Sequence, residues 1–177
     1  MGTSIGSYAP DFELPGIDDE VHHLARYLET CRAVATVFMC NQCQHVRSYL
    51  DRLKQIQSEF ESQNVTLIGI NPNDSIQDPE ESFENMRAFA SHHQLNFPYL
   101  RDVTQDVARG FGVEKLPQVF LLDRAGIVCY IGQIDDNADD IEGVRVPYLH
   151  QAIAQLLDGK TIHPDATEPV GCQVKWR

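Results

Sequence analysis

Residues 33–39 read Ala-Val-Ala-Thr-Val-Phe-Met, a continuous apolar and β-branched run. A half-buried strand alternates apolar and polar side chains, so a run without alternation suits a strand covered on both faces. That stretch demands a sheet enclosed by other elements, and the rest of the chain supplies them. From residue 44 to about 63, Val46, Leu50, Leu53, Ile56 and Phe60 recur at spacings of three and four, one stripe of an amphipathic helix. Residues 65–70 repeat the buried-strand pattern and run into the loop-forming Asn71-Pro72-Asn73-Asp74. Phe83, Met86, Phe89 and Ala90 mark one face of a second helix over 80–93. A short strand at 97–100 and a short helix at about 105–111 follow. Residues 119–122 and 127–131 form a hairpin around Asp123-Arg124-Ala125-Gly126, and a last helix over 147–157 stops at Gly159. The tail, with Pro164 and Pro169, reads as irregular.

The order strand, helix, strand, helix, then hairpin and helix predicts an α/β fold with a central mixed sheet and helices on both faces. The 177 residues suit one domain, with a core over about 8–158 and a tail over 159–177. Lys plus Arg is 14 against 26 Asp plus Glu, a formal charge of −12, which argues against nucleic acid or an anionic membrane surface as partner. A hydrophobic share of 42% supports a packed core rather than disorder. No apolar run approaches the roughly 18 residues of a membrane span. The start, Met1-Gly2-Thr3-Ser4-Ile5-Gly6, has neither the basic nor the apolar stretch of a secretory signal, so a cytoplasmic address is expected.

Five cysteines, Cys31, Cys40, Cys43, Cys129 and Cys172, fit a secreted disulfide framework poorly, because the number is odd. In a reducing compartment a disulfide is more often catalytic or sensing than structural, which draws attention to Cys40-Asn41-Gln42-Cys43. Cys40 falls where the buried strand gives way to the long helix. Unpaired N–H groups and the positive end of the dipole at a helix start can lower a cysteine pKa from about 8.5 to roughly 3.5–7.5. Helical i, i+3 neighbours lie about 5–6 Å apart at Cβ, a separation that can contract to a disulfide. The spacing therefore predicts Cys40 as nucleophile and Cys43 as the thiol that resolves the mixed disulfide.

Two plainer readings stand beside this one. Both cysteines could be small core residues. Alternatively, the pair could give two zinc ligands with His45 or Cys172 adding more, although no second pair has metal-site spacing. Haem attachment is excluded because Gln44, not His, follows Cys43. No metal and no other cofactor is expected. Cys172, beside Gly171 in the tail, is either a third redox thiol or a packed tail residue. Cys129 alternates with Ile127 and Ile131 and reads as buried strand filling, and Cys31 packs before the central strand. His45 lies two residues past Cys43 and is expected to point away around the helix. His22-His23 and His92-His93 lack partners at ligand spacing, and the acidic stretch from Asp135 to Glu142 reads as a solvated loop.

Leu116-Pro117 precedes the strand at 118–122. Proline is tolerated at a strand's first position, and only about 5–6% of X–Pro bonds are cis in folded proteins. A cis bond beside a disulfide pair would turn backbone groups outward to meet an extended substrate segment. Leu116 and Pro117 are therefore the candidate substrate-binding residues.

Several motifs together resemble the thioredoxin-fold superfamily, and within it a peroxiredoxin-like subgroup of the AhpC/TSA family (alkyl hydroperoxide reductase and thiol-specific antioxidant proteins). They are Ala9-Pro10-Asp11-Phe12-Glu13-Leu14-Pro15, Met39-Cys40-Asn41-Gln42-Cys43-Gln44-His45-Val46, Asn73-Asp74, Ser82-Phe83-Glu84-Asn85-Met86, Phe97-Pro98-Tyr99-Leu100, Ile134-Asp135-Asp136 and Gly171-Cys172-Gln173-Val174-Lys175-Trp176. The resemblance implies a thioredoxin-like fold with an N-terminal extension, and an antioxidant or redox-homeostasis role. Leu116-Pro117 resembles the cis-proline of thioredoxins, where peroxiredoxins carry an arginine. The peroxidatic pattern Pro-x-x-x-Thr-x-x-Cys is missing in either register: Thr36 and Cys40 stand at its proline and threonine positions if Cys43 is peroxidatic, and Ala33 and Val37 if Cys40 is. The expected activity is thiol–disulfide exchange with protein or low-molecular-weight disulfides and thiols. A thiol-dependent peroxidase taking peroxides and a non-enzymatic redox-sensing binding module are the alternatives.

Overall fold

A computed structural model describes residues 2–177. In chain order the elements are β1 (Glu13–Pro15), β2 (Val21–His23), α1 (Leu24–Thr30), β3 (Ala33–Phe38), α2 (Gln44–Phe60), β4 (Val65–Asn71), α3 (Phe83–His92), β5 (Tyr99–Arg101), α4 (Asp106–Phe111), β6 (Lys115–Leu116), β7 (Gln118–Asp123), β8 (Val128–Gly132), α5 (Tyr148–Leu157) and β9 (Cys172–Gln173). The main sheet runs β5-β4-β3-β7-β8, with β3, β4 and β5 parallel and β7 and β8 antiparallel to their neighbours. All six residues of β3 are buried, as its unbroken apolar run requires. The result is the expected thioredoxin-like mixed α/β fold.

Three departures have local causes. The helix expected over 80–93 divides: Pro79–Glu81 forms a single 3₁₀ turn, and α3 starts afresh because the Ser82 hydroxyl accepts from the Asn85 N–H as its N-cap. Residues 13–30, left unassigned by periodicity, hold the β1–β2 hairpin and α1. The tail expected to be irregular contains β9, paired antiparallel to β6.

Two features of this frame place the site. The parallel strands β3 and β4 both end on the same edge of the sheet, where loops collect functional groups. The antiparallel register sets Phe38 opposite Gln118, so the residues just before β7 lie beside those just after β3. Leu116-Pro117 thereby meets the Cys40–Cys43 turn. Phe38, Phe111 and Phe120 pack their rings 5.1–5.7 Å apart beneath this junction and fix the strand ends on which both segments rest.

Candidate redox site

Cys43 is the N-cap of α2, with φ −84° and ψ 125°, and α2 then runs for 17 residues. Its side chain makes no capping hydrogen bond and is turned to Leu116 and the tail. The Leu116–Pro117 peptide is cis, and the Leu116 carbonyl oxygen lies 3.5 Å from Cys43 Sγ. On the other side of Leu116 runs β9, with Leu116 opposite Cys172. Cys43 and Cys172 are joined in a disulfide with Cα atoms 6.1 Å apart, across a sequence separation of 129.

The pairing expected from the Cys-x-x-Cys spacing is thus corrected: Cys43 is bonded to Cys172, and Cys40 is a free, buried thiol. Helical i, i+3 proximity does not apply between Cys40 and Cys43, because Cys43 is an extended cap and Cys40 lies outside the helix. Burial, and after it the Glu81 carboxylate alongside, push the Cys40 thiol up to about 12, although the Gln42 and Cys43 N–H groups aimed at its sulfur pull the other way.

Glu81 belongs to a buried polar network that sequence reasoning missed. It accepts from the Asn41 N–H at 2.7 Å, from Asn73 Nδ2 at 2.8 Å and from Asn71 Nδ2 at 3.4 Å. Tyr99 donates to Asn41 Oδ1 at 2.7 Å, and Arg101 donates to the backbone carbonyls of Glu81 and Asn73. The available signal was two amide side chains, Asn71 and Asn73, at the carboxyl end of a buried parallel strand; that edge favours sites over ordinary loops.

The tail is tied down along its length. A Cβ on Gly171 would stand 2.0 Å from the Leu116 carbonyl oxygen, so only glycine allows the two backbones to approach this closely. Val174 is buried, the Lys175 N–H donates to Asn73 Oδ1, and the Lys175 ammonium pairs with Asp78. Arg109 lies over the Trp176 ring, 4.6 Å from its centroid, and the Arg177 N–H donates to Gln105 Oε1. Cys172 is therefore delivered to Cys43 by a docked strand.

His45 also differs from expectation. The 100° turn per residue that would carry it away from Cys43 starts only inside the helix, and Cys43 is the cap. A ring nitrogen of His45 and the sulfurs of Cys43 and Cys172 all lie within 4.8 Å of one another. The remaining candidates lie elsewhere. Cys31 is buried against Thr66, whereas Cys129 is only half-buried, because Val128 and Tyr130 hold the core side of β8. Burial and Asp123 raise the Cys129 thiol to about 11. His22 is held by Asp18 and Tyr27. Asp135, expected in a solvated loop, is buried and ion-paired to Arg52 at 2.8 Å, which fastens residues 135–138 to α2.

Comparison with known proteins follows the same lines. The AhpC/TSA family profile matches residues 5–131, which include Cys40, Cys43, Leu116 and Pro117. The chain belongs to the AhpC/TSA family. It is 30% identical over 128 residues to the thiol-disulfide oxidoreductase ResA of Geobacillus thermodenitrificans (strain NG80-2), covering 71% of this chain and 67% of that one. The crystal structure of a hypothetical protein from Sinorhizobium meliloti 1021 is similar with a TM-score of 0.92 at 30% identity, over 100% of this chain and 97% of that one. An uncharacterized conserved protein from Geobacillus kaustophilus gives a TM-score of 0.91 at 31% identity, over 98% and 93% of the two chains. The family match stops before the tail, while the likeness to the Sinorhizobium structure runs through it. No helix among the described residues is long and apolar enough to cross a membrane.

Proposed function

We propose that this chain is a thiol–disulfide oxidoreductase that passes two electrons through Cys43 and Cys172. The observation that carries the reading is the bond between a helix-capping cysteine and a cysteine brought to it by the docked tail. In the reduced protein the Cys43 thiolate attacks a substrate disulfide, expels one substrate thiolate and forms a mixed disulfide. The Cys172 thiolate then attacks Cys43 Sγ, expels the second substrate thiolate and leaves the Cys43–Cys172 bond. The substrate gains two electrons, and a dithiol donor returns them by the reverse exchange. Protein or low-molecular-weight disulfides and thiols are the substrate class in this reading. The ResA relative's name and the missing peroxidatic pattern favour exchange over peroxide reduction.

Attack in this proposal falls to Cys43 and resolution to Cys172. Cys40, the nucleophile expected from the spacing, has no exchange step in this proposal, because it is a free thiol enclosed in the core. Leu116 and Pro117 keep the substrate-binding role in this proposal. The cytoplasmic address expected from the sequence belongs to the same proposal.

The deciding experiment incubates the reduced Cys172→Ser variant with glutathione disulfide and maps the adducts by peptide mass. The expected product is a stable mixed disulfide on Cys43. An adduct on Cys40, or oxidised wild-type protein whose disulfide maps to Cys40 and Cys43, would overturn the assignment.

A further inference from the structure

We propose that the reduced site is a metal site, in which the Cys43 and Cys172 thiolates and the His45 imidazole bind one Zn²⁺ ion and leave a fourth position open. The three donor atoms already lie within 4.8 Å of one another while the sulfurs are bonded. Zinc holds sulfur at about 2.3 Å and imidazole nitrogen at about 2.0–2.1 Å, which puts tetrahedral ligand atoms roughly 3.5–3.8 Å apart. The sulfurs need only separate by a side-chain rotation, and the backbone that carries them is held. Cys172 stays opposite Leu116 through the β6–β9 pairing and the anchoring of Val174 and Lys175, and Cys43 is fixed at the start of α2.

The third ligand is singled out by position: among the described residues His45 alone of the histidines lies within 4.8 Å of both sulfurs. His22, His23 and His150 each face a carboxylate, and His92 and His93 pack against each other. His45 has no hydrogen-bond or ion-pair partner among the described residues, and its half-buried ring lies beside the two sulfurs. Two thiolates and an imidazole form a soft to borderline donor set that suits zinc and excludes magnesium and calcium, which take oxygen ligands.

The site exists only in one redox state. A disulfide sulfur has no thiolate to offer, so a dithiol donor must first deliver two electrons and two protons to the Cys43–Cys172 bond. Zinc then displaces the two thiol protons, and the bound ion in turn blocks reoxidation of the pair. The proposal uses the Cys43–Cys172 bond but not its exchange activity, so the two can fail separately.

The test titrates the full-length, reduced protein, freed of reductant under anaerobic conditions, with Zn²⁺ in competition with a chromophoric chelator. Co²⁺ serves as a spectroscopic stand-in. One equivalent of zinc is expected to bind the reduced protein and none the disulfide form. Cys40→Ser is expected to leave affinity unchanged. His45→Ala and His45→Gln are expected to weaken binding by at least about tenfold, by the loss of one ligand. Both variants should also shift the visible Co²⁺ bands. Equal zinc affinity in the two redox states, wild-type affinity in both His45 variants, or loss of binding in Cys40→Ser would each overturn the assignment.

Discussion

Cys40 and Cys43 stand three positions apart in the sequence and in opposite chemical settings. Cys43 caps a long helix, touches the Leu116 backbone and is bonded to the tail. Cys40 is enclosed in the core beside a buried carboxylate, which together hold it as a neutral thiol. The contrast teaches that a Cys-x-x-Cys spacing does not assign roles by itself. Which sulfur sits at the helix cap and which is enclosed depends on where the first helical turn begins.

The most forceful way to break this contrast is to remove each sulfur in turn. Cys43→Ser is expected to slow reduction of glutathione disulfide by on the order of 10³-fold or more, as loss of a nucleophile does. Cys40→Ser should retain most of the rate, and equal losses in steady-state assays would abolish the distinction. The next effect is on stability. The bond closes a loop across 129 positions, so Cys172→Ser is expected to destabilise the oxidised protein by about 2–5 kcal/mol, read from urea unfolding midpoints. An unchanged midpoint would mean that the tail contacts alone hold the closed form.

Gly171→Ala sharpens the comparison from the tail side. The new methyl must displace β9 from Leu116, at a cost of about 1–3 kcal/mol. The readout is the fraction of Cys43–Cys172 disulfide in a glutathione redox buffer, which should fall; no change would show that β9 need not pair for the bond to form. The smallest effect is a pH profile. A raised thiol pKa means the protonated form persists as pH rises, so alkylation of Cys40 by iodoacetamide should stay slow through pH 9, where an ordinary thiol is half ionised. It should climb tenfold per pH unit towards about 12. Fast alkylation of Cys40 at pH 7 would contradict the buried setting described here.

Much of the architecture is legible in the chain because long, strongly periodic segments bury surface in a way that local spacing reports. The stripe of Val46, Leu50, Leu53, Ile56 and Phe60 and the unbroken apolar run from 33 correspond to α2 and β3. Short elements are not legible. β6 and β9 have two residues each, too few for any period, and their pairing depends on chain brought from 56 positions away, as in the Leu116 to Cys172 register. The cysteine-bearing turn is legible in the same way, but its wiring is not: Glu81 reaches the Asn41 N–H, and Asn73 reaches Glu81, only through folds of the backbone that no spacing encodes.

The sequence by itself determined a covered central strand, a mixed α/β sheet and a cysteine-bearing turn at its edge, because hydrophobic periodicity is a local property of neighbouring residues. Tertiary structure alone decided which sulfurs meet and which one is kept neutral. Both outcomes depend on distances and burial between segments far apart in the chain, and an antiparallel strand pair and a buried carboxylate set those only once the chain has folded.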